Sequence, residues 1–451
     1  MARKLFGTDG IRGVAGLYPL DPATVHAAGA ALGQWIVATQ TARAVVIGMD
    51  TRESGAWIAS QVAGGLARHG IAVDFAGITT TPGVAYLAKM GPYAAGVMIS
   101  ASHNPYRDNG IKIIGHSGYK LADEQEELLE AGLFAHLEEG LEPTPAALSI
   151  DEQLDQAYIE HLASTVEQRL KGLTLAVDCA NGSAAHLAPE LLERLGAKVI
   201  RTGCAPDGRN INLNCGSLHL NALRETVLAH RAHVGIAFDG DADRALFVSH
   251  SGKTIDGDAV MLLCARRLQQ QGRLADRDGR PVVIATVMSN LGLERALGAH
   301  GIEMARTPVG DKYVLEEMLR RDAVIGGEQS GHVIFRDYAT TGDGMLTALR
   351  VLDAMTSSGQ DLDELTKELK IYPQLLVNVR VKERKPLSEL PGVQGEIRAA
   401  EHALGSAGRI LVRFSGTEPL ARVMVEGPET GQVKALADRI AFQIRTELGA
   451  E

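Results

Sequence analysis

The sequence predicts an α/β protein with three related domains, each with a mixed or parallel sheet, and a smaller C-terminal α+β domain. The main observation is a strand, loop, helix, glycine and second strand that recur three times, beginning at AVVIGM, LTLAVD and PVVIAT. That order is typical of parallel sheets, and its repetition indicates related units. After Tyr372 the pattern changes to one strand, a helix, two short strands and a last helix.

The length of the chain indicates several domains, because 451 residues exceed what one hydrophobic core usually holds. Hydrophobic residues make up 45% of the sequence and glycines number 50, which is typical of a globular α/β protein with many tight loops. We expect boundaries that give domains at residues 1–150, 151–250, 251–370 and 371–451.

The formal net charge of −10 opposes binding to nucleic acids and to anionic membrane surfaces. No stretch has the apolar length of a signal peptide core or a membrane span. We therefore expect a cytoplasmic protein with a small-molecule ligand and with neither a nucleic acid nor a membrane as partner.

The first motif is SASHNPYRDNGIK, which follows the short apolar run VMI. It places Ser102 beside His103 on a loop and Lys112 on the next apolar run. A serine held near a cation and an imidazole is suited to covalent phosphoryl transfer. The alternative is that the hydroxyls only stabilise the turn through hydrogen bonds to the backbone.

The second motif is FDGDADRALFV, in which Asp239, Asp241 and Asp243 follow a predicted strand. Alternate carboxylates in an extended turn share a face and can converge on one hard cation. The neighbouring sequence offers no thiolate or imidazole for zinc, so magnesium fits best. An exposed acidic turn without metal is the alternative, but apolar strands flank the motif and make solvated charge a poor explanation.

Two further motifs carry polar residues between apolar runs. In IGGEQSGHVIF, Glu328 and Ser330 can bind sugar hydroxyls, and His332 is either an acid or base or a packed histidine. VRFSGTEPLARVMVEG supplies guanidiniums, hydroxyls and backbone amides suited to a phosphate group. Its candidate residues are Arg413, Ser415, Gly416, Thr417 and Arg422.

The four motifs, in this order, resemble those of the α-D-phosphohexomutase superfamily, and the resemblance extends from about Phe6 to Glu426. The opening FGTDGIRG and the glutamine of GEQSGH are similar to its phosphoglucosamine mutase branch. The resemblance implies a four-domain isomerase whose domains surround a central cleft. It also implies interconversion of glucosamine 6-phosphate and glucosamine 1-phosphate through a bisphosphate sugar, feeding UDP-N-acetylglucosamine synthesis.

The resemblance also implies roles for individual residues. Ser102 would carry the phosphoryl group and, with Asp239, Asp241 and Asp243, would hold one magnesium ion per subunit. The sugar and its distal phosphate would contact His103, Glu328, Ser330 and the loop from Arg413 to Arg422. The residues implied at the reaction centre are Arg12, Lys112, Arg244 and His332.

Several points stay open at this stage. Ala242 stands where many members of the superfamily have glycine, and we expect a negative φ there. The general base is either Lys112 or His332. Glucosamine 1,6-bisphosphate is the implied intermediate and activator, and a homodimer is the implied assembly.

Three other functions compete with this hypothesis. A phosphomannomutase or phosphoglucomutase of the same superfamily would act on 2-hydroxy sugars. A haloacid-dehalogenase-like phosphatase would use Asp239 as its nucleophile, although that pattern favours threonine or valine where Asp243 stands. A sugar-phosphate sensor would bind the same ligands without phosphorylation of Ser102.

Overall fold

The computed structural model describes residues 5–7, 9–166, 169–383, 385–415 and 419–449. The chain divides into two compact units. The first contains residues 1–288 and 302–367, and the second contains residues 289–301 and 368–451. None of the described helices is long and apolar enough to cross a membrane.

The first sheet of the larger unit has six strands in the order β1-β2-β6-β5-β3-β4. Its strands are β1 (Phe6–Gly7), β2 (Gly10–Val14), β3 (Ala44–Met49), β4 (Ala72–Ile78), β5 (Ala95–Ile99) and β6 (Asp108–Gly115). The accompanying helices are α1 (Pro22–Thr39), α2 (Gly55–Ala67), α3 (Thr81–Met90), α4 (Asp123–Glu138) and α5 (Glu152–Ser164). β3 pairs in parallel with β4 and β5, whereas β6 returns antiparallel to β5. The loop between β5 and β6 carries the first motif.

The second sheet has five strands in the order β11-β10-β9-β7-β8. Its strands are β7 (Thr174–Asp178), β8 (Lys198–Thr202), β9 (Val234–Phe238), β10 (Ala245–Ser249) and β11 (Thr254–Ile255). Its helices are α6 (Ala184–Arg194), a 3-10 turn (Gly216–Leu218), α7 (Asn221–His230) and α8 (Gly257–Gln270). β9 runs parallel to β7 and antiparallel to β10, and the acidic motif is the loop between β9 and β10.

The third sheet has four strands in the order β13-β12-β14-β15. They are β12 (Val282–Thr286), β13 (Glu303–Thr307), β14 (Ile325–Gly327) and β15 (Val333–Phe335). The helices in this part of the chain are α9 (Leu291–Ala299), α10 (Asp311–Arg321), α11 (Gly344–Ser358) and α12 (Leu362–Leu365). α9 connects β12 to β13 in sequence, yet it belongs to the smaller compact unit.

The smaller unit contains a three-stranded antiparallel sheet in the order β16-β18-β17. Its strands are β16 (Gln374–Arg380), β17 (Arg409–Phe414) and β18 (Leu420–Glu426). The helices after β16 are a 3-10 turn (Leu387–Glu389), α13 (Pro391–Leu404), a second 3-10 turn (Gly405–Ala407) and α14 (Thr430–Leu448). Apolar residues of this sheet, α13 and α14 form one core.

The predicted fold class is confirmed by these sheets. Each of the three repeats gives a strand, a helix and a parallel neighbouring strand, namely β3 and β4, β7 and β8, and β12 and β13. Their central strands are buried throughout because both faces are covered, as is usual for parallel sheets. The four boundaries expected from the sequence stay predictions.

Candidate active site

Ser102 lies three residues beyond the end of β5, in a strained and buried loop. It is 2% exposed, and its φ of +51° lies in the left-handed region. Its N–H donates to Ser100 Oγ at 2.9 Å, and its Oγ donates to Asp239 Oδ2 at 2.7 Å. Such a backbone conformation persists in a non-glycine residue only where the surroundings hold it. The loop thus fixes a serine hydroxyl against the acidic motif.

The three aspartates of the acidic motif lie together between β9 and β10. Asp239, Asp241 and Asp243 are buried, and one ligand atom from each lies within 4.8 Å of the others. Their arrangement depends on Ala242, whose N–H donates to the Asp239 carbonyl at 3.2 Å and whose carbonyl accepts from Gly344 N at 2.9 Å.

The negative φ predicted for Ala242 is wrong. Its φ is +56°, because the turn that brings the aspartates together requires a left-handed residue at this point. For a residue with a Cβ atom this conformation costs roughly 1–2 kcal/mol. The glycine that we expected in many family members has no such cost at this position.

The acidic cluster needs positive charge to be stable. Burial raises the pKa of Asp239 well above its usual range, and the charges of Asp243 and Asp241 raise it further. Burial also acts to raise the pKa of Asp243, but the neighbouring His332, Lys112 and Arg244 outweigh it and keep this pKa low.

A hard divalent cation fits this cluster. Oδ1 of Asp241 and Oδ1 of Asp243 are buried and have no hydrogen-bond partner among the described residues. The three aspartates offer carboxylate oxygens, which magnesium and calcium prefer as ligands more strongly than zinc does.

Lys112, on β6, supplies the nearest buried ammonium group. Its Nζ lies 2.7 Å from Asp241 Oδ2 and 3.1 Å from Asp9 Oδ2. Burial lowers the pKa of Lys112, but Asp241 and Asp9 outweigh this effect and raise it above its usual value. Lys112 is therefore a charged group, and Asp9 also pairs with Arg12.

A second lysine, Lys120, extends this ionic network and was missed by the sequence analysis. Lys120 Nζ lies 2.5 Å from Asp9 Oδ1 and 2.7 Å from Asp311 Oδ2. Asp311 is 191 positions from Lys120, and Asp9 is 111 positions away. Asp9 lies within the FGTDGIRG motif, but no spacing in the sequence links it to Asp311 or Lys120.

His103 and Arg244 lie beside the serine hydroxyl. His103 Nδ1 is 3.4 Å from Ser102 Oγ and 3.4 Å from an Arg244 terminal nitrogen. Burial lowers the pKa of His103, and the charges of Arg244 and Arg12 lower it further, so this imidazole is neutral near pH 7. The Arg244 backbone N–H donates to Asp239 Oδ1 at 3.2 Å, which ties the arginine to the acidic loop.

The GEQSGH motif forms the turn between the antiparallel strands β14 and β15. Glu328 Oε1 accepts from the Gly310 N–H at 3.1 Å, and Ser330 is exposed. The side chain of Gln329 donates to Asp256 Oδ2 at 3.1 Å, at the N-terminal cap of α8. The glutamine therefore anchors the turn to α8.

His332 is 2% exposed and lies between two carboxylates. Its Nδ1 is 3.5 Å from Asp243 Oδ2, and its Nε2 is 4.0 Å from Asp311 Oδ2. Burial lowers the pKa of His332, but Asp243, Asp311 and Glu328 outweigh it and raise this pKa to about 9. The Gly342 N–H nevertheless donates to Nε2 at 3.1 Å, which requires an unprotonated Nε2. Nε2 is therefore a hydrogen-bond acceptor here, and the ring proton lies on Nδ1 and faces Asp243.

The larger unit thus brings together most of the predicted site residues. This group comprises Arg12, Ser102, His103, Lys112, Asp239, Asp241, Asp243, Arg244 and His332. Glu328 and Ser330 lie on the turn that precedes His332.

The predicted phosphate loop belongs to the smaller unit. Arg413 on β17 and Arg422 on β18 are directly opposite in the antiparallel ladder. Arg422 also approaches Ser415 Oγ at 3.5 Å, and Ser415 is 3% exposed. Burial lowers the pKa of Arg413, and the charge of Arg422 lowers it further. Gly416 and Thr417 lie outside the described residues.

Two like charges at facing positions of a ladder disfavour each other. An anion between the two guanidiniums would remove this repulsion, and a phosphate accepts hydrogen bonds from both.

Comparison with known families gives a match over most of the chain. The phosphoglucomutase/phosphomannomutase family matches in four parts. Its alpha/beta/alpha domains I, II and III match residues 3–139, 156–252 and 256–372, and its C-terminal domain matches residues 376–443.

Individual proteins give the same result. The chain is 60% identical over 449 residues to a phosphoglucosamine mutase from Solibacter usitatus, covering 100% of both sequences. A phosphoglucomutase/phosphomannomutase family protein from Burkholderia thailandensis has the same fold, with a TM-score of 0.81, 24% identity and coverage of 99% and 98%. An Aspergillus fumigatus N-acetylphosphoglucosamine mutase, crystallised with GlcNAc-6P and magnesium, superposes with a TM-score of 0.64 at 20% identity, covering 98% and 96%.

Proposed function

The chain belongs to the phosphoglucomutase/phosphomannomutase family, and from that premise we propose that it interconverts glucosamine 6-phosphate and glucosamine 1-phosphate. The observation that carries the proposal is the contact of 2.7 Å between Ser102 Oγ and Asp239 Oδ2. It joins a serine hydroxyl to a buried acidic cluster that suits a divalent cation. The 60% identical phosphoglucosamine mutase supports the choice of an amino sugar.

Ser102 is the proposed phosphoryl carrier. In the first step the bond between phosphorus and Ser102 Oγ breaks while a bond forms to the free hydroxyl of the sugar phosphate. Overall, the proton that His332 takes from this hydroxyl is returned to Ser102 Oγ, so the step conserves atoms and charge. The resulting glucosamine 1,6-bisphosphate then turns in the site and returns its other phosphoryl group to Ser102.

The acidic cluster is the proposed magnesium site. Asp239, Asp241, Asp243 and Ser102 would hold the ion, and the two buried carboxylate oxygens without a hydrogen-bond partner among the described residues favour such a role. When bound, magnesium would polarise the phosphoryl oxygens and stabilise the charge that develops during transfer.

Lys112 and His332 have different proposed roles. Asp241 and Asp9 keep Lys112 charged, so it stabilises negative charge rather than acting as the base. His332 is then the group that takes up the hydroxyl proton. It can do so at Nε2 only after that atom releases the Gly342 N–H.

The remaining predicted residues are proposed to bind the substrate. Arg12, Arg244 and neutral His103 are proposed to contact a phosphoryl group on Ser102. The 3.4 Å distances from His103 Nδ1 to Ser102 Oγ and to an Arg244 nitrogen support this role. Glu328 and Ser330 supply an acceptor and a hydroxyl for the sugar ring. Arg413, Ser415, Gly416, Thr417 and Arg422 are proposed to bind the phosphate that is not being transferred. We also propose a cytoplasmic location, since a phosphorylated sugar does not cross membranes unaided.

The test is magnesium-dependent conversion of glucosamine 6-phosphate, glucose 6-phosphate and mannose 6-phosphate to their 1-phosphates, followed by phosphorus NMR. Fastest turnover of the amino sugar is expected. Preference for glucose or mannose would assign the enzyme to a 2-hydroxy sugar, and release of free phosphate alone would identify a phosphatase. Binding without turnover would identify a sensor. Sedimentation of the same preparation would test the homodimer expected from the resemblance.

A further inference from the structure

Arg52 lies in the turn after β3 and has no part in the proposed chemistry. Its guanidinium is completely buried, and its Nε donates to Asp50 Oδ2 at 2.8 Å. The Arg52 backbone N–H also donates to Asp50 Oδ1 at 3.1 Å. A buried ion pair of this kind needs further hydrogen bonds to offset its desolvation.

Those hydrogen bonds all lead to the loop that carries Ser102. One terminal nitrogen of Arg52 donates to the carbonyls of Ser102 and Asn104, each at 2.9 Å. The other donates to the carbonyl of Asp108 at 2.9 Å and to that of Pro105. The planar guanidinium thus binds three carbonyls of this loop and that of the first residue of β6, four acceptors that an ammonium group with three donors cannot all satisfy.

The partner of Arg52 holds the other side of Ser102. Asp50 Oδ2 accepts from Ser100 Oγ at 2.6 Å, and Ser100 Oγ accepts from the Ser102 N–H at 2.9 Å. Both the N–H and the carbonyl of Ser102 are therefore connected to the same buried ion pair. This closed path surrounds the residue whose φ is +51°.

We propose that Arg52 is a positioning residue for phosphoryl transfer. Through Asp50, Ser100 and the loop carbonyls, it holds Ser102 in the left-handed conformation that directs its hydroxyl at Asp239. The proposal rests on the proposed function of Ser102. A purely structural residue would lower kcat only as far as it lowers stability. A positioning residue should lower kcat strongly while KM and the thermal midpoint change little.

The main variant is Arg52→Lys, which keeps the charge beside Asp50 and loses the four-carbonyl fork. We expect kcat for the amino sugar to decrease about 100-fold, because small displacements of a reacting group have effects of this size. KM should change less than about threefold, since the substrate-binding residues are untouched. Phosphorylation of Ser102 by the bisphosphate sugar, followed by phosphorus NMR, should slow in parallel with kcat.

Arg350→Lys is the matched control. Arg350 also donates through its guanidinium to a backbone carbonyl and to a hydroxyl, those of Thr165, but it does not touch the Ser102 loop. The same substitution there should lower the thermal midpoint without lowering kcat. If both variants lose activity in proportion to stability, Arg52 is merely structural.

A second variant tests the path. Ser100→Ala removes the link from Asp50 to the Ser102 N–H and should also lower kcat with little effect on KM. If Arg52 and Ser100 act through one path, the double variant should lose much less than the product of the two single losses. If the double variant instead loses kcat by the product of the two single losses, the proposal is overturned. If Arg52→Lys fails to fold, an unchanged kcat in Ser100→Ala would overturn it. Absence of phosphoserine and of isomerisation in the unaltered enzyme would instead overturn the proposed function.

Discussion

Ser102 Oγ donates to Asp239 Oδ2 across 2.7 Å, although 137 positions separate the two residues in the chain. The contact joins the loop after β5 to the loop after β9. Each strand is buried and ends at the carboxyl edge of its sheet, where ligand-binding loops of α/β folds gather. A phosphoryl group on this serine would therefore lie among three carboxylates and need cations beside it.

Removal of the Ser102 hydroxyl should abolish turnover without unfolding the protein. Ser102→Ala loses the proposed carrier and one hydrogen bond, so we expect kcat to decrease about 10³-fold or more. Intact mass after incubation with bisphosphate sugar should show phosphate on the unaltered enzyme and none on the variant. Ser117→Ala, at an exposed serine, is the control and should be phosphorylated normally. Full turnover by Ser102→Ala would disprove the carrier role.

Repulsion among the aspartates predicts that magnesium reverses the order of thermal stability of the unaltered enzyme and Asp239→Asn. Without metal, Asp239→Asn should be more stable than the unaltered enzyme, because it relieves like charges that raise the pKa of Asp239. Each kcal/mol of relief should raise the thermal midpoint by roughly 1–2 °C in a unit of this size.

With magnesium the order should reverse, since the variant lacks one ligand charge. Midpoints measured with chelator and with magnesium check both statements. A midpoint of the unaltered enzyme that does not respond to magnesium would count against the metal site.

The facing guanidiniums of the smaller unit should govern affinity rather than rate. Arg413→Gln removes one phosphate donor and relieves the repulsion from Arg422. We expect KM for the amino sugar phosphate to rise about 10- to 100-fold, with a smaller change in kcat. The variant should also be slightly more stable without ligand. Arg398→Gln, at an exposed position on α13, should leave KM unchanged and serves as the control.

Asp343 predicts a pH dependence of stability. Its carboxylate caps α11 through the Leu346 N–H at 2.9 Å and accepts from Tyr158 OH at 2.7 Å, yet burial raises its pKa to about 6. In the unfolded chain this pKa is about 3.9. The folded protein therefore binds an extra proton between about pH 4 and pH 6, and stability from this group decreases as pH rises through that window.

Asp343→Asn keeps a capping side chain that cannot titrate. The stability of the variant minus that of the unaltered protein should therefore be greater at pH 7 than at pH 4.5, by on the order of 2 kcal/mol. Thermal midpoints of both proteins at the two pH values measure this change. All other groups titrate in both proteins, so their effects cancel in the difference. An equal difference at the two pH values would show that Asp343 is not buried in its charged form.

The sequence was informative where chemistry and local spacing coincide. Asp239, Asp241 and Asp243 are separated by single residues, so their convergence follows from a short turn. Ionic contacts between distant residues could not be predicted in this way, and Asp311 with Lys120 is an example. The left-handed φ of Ala242 was also missed, because it belongs to a turn whose hydrogen bonds include one from the N–H of Gly344, which is distant in the sequence.

The role of Gln329 shows a different limit. The glutamine of GEQSGH supported the resemblance to one branch of the superfamily, but the motif does not reveal what its side chain contacts. Its amide binds Asp256 at the start of α8, so it supports the turn rather than facing outward with Ser330. A residue that distinguishes one branch of a family from another can therefore have a packing role and need not contact the substrate.

The backbone of Ser102 also restricts which amino acid can occupy this position. Threonine has the same hydroxyl group, and its phosphate ester would be chemically equivalent in the proposed transfer. A β-branched side chain, however, is a genuine outlier at positive φ, and the φ of +51° would place its extra methyl group against the chain. Substitution of serine by threonine, often harmless elsewhere, is therefore disfavoured at position 102 by steric strain and not by the reactivity of the hydroxyl group.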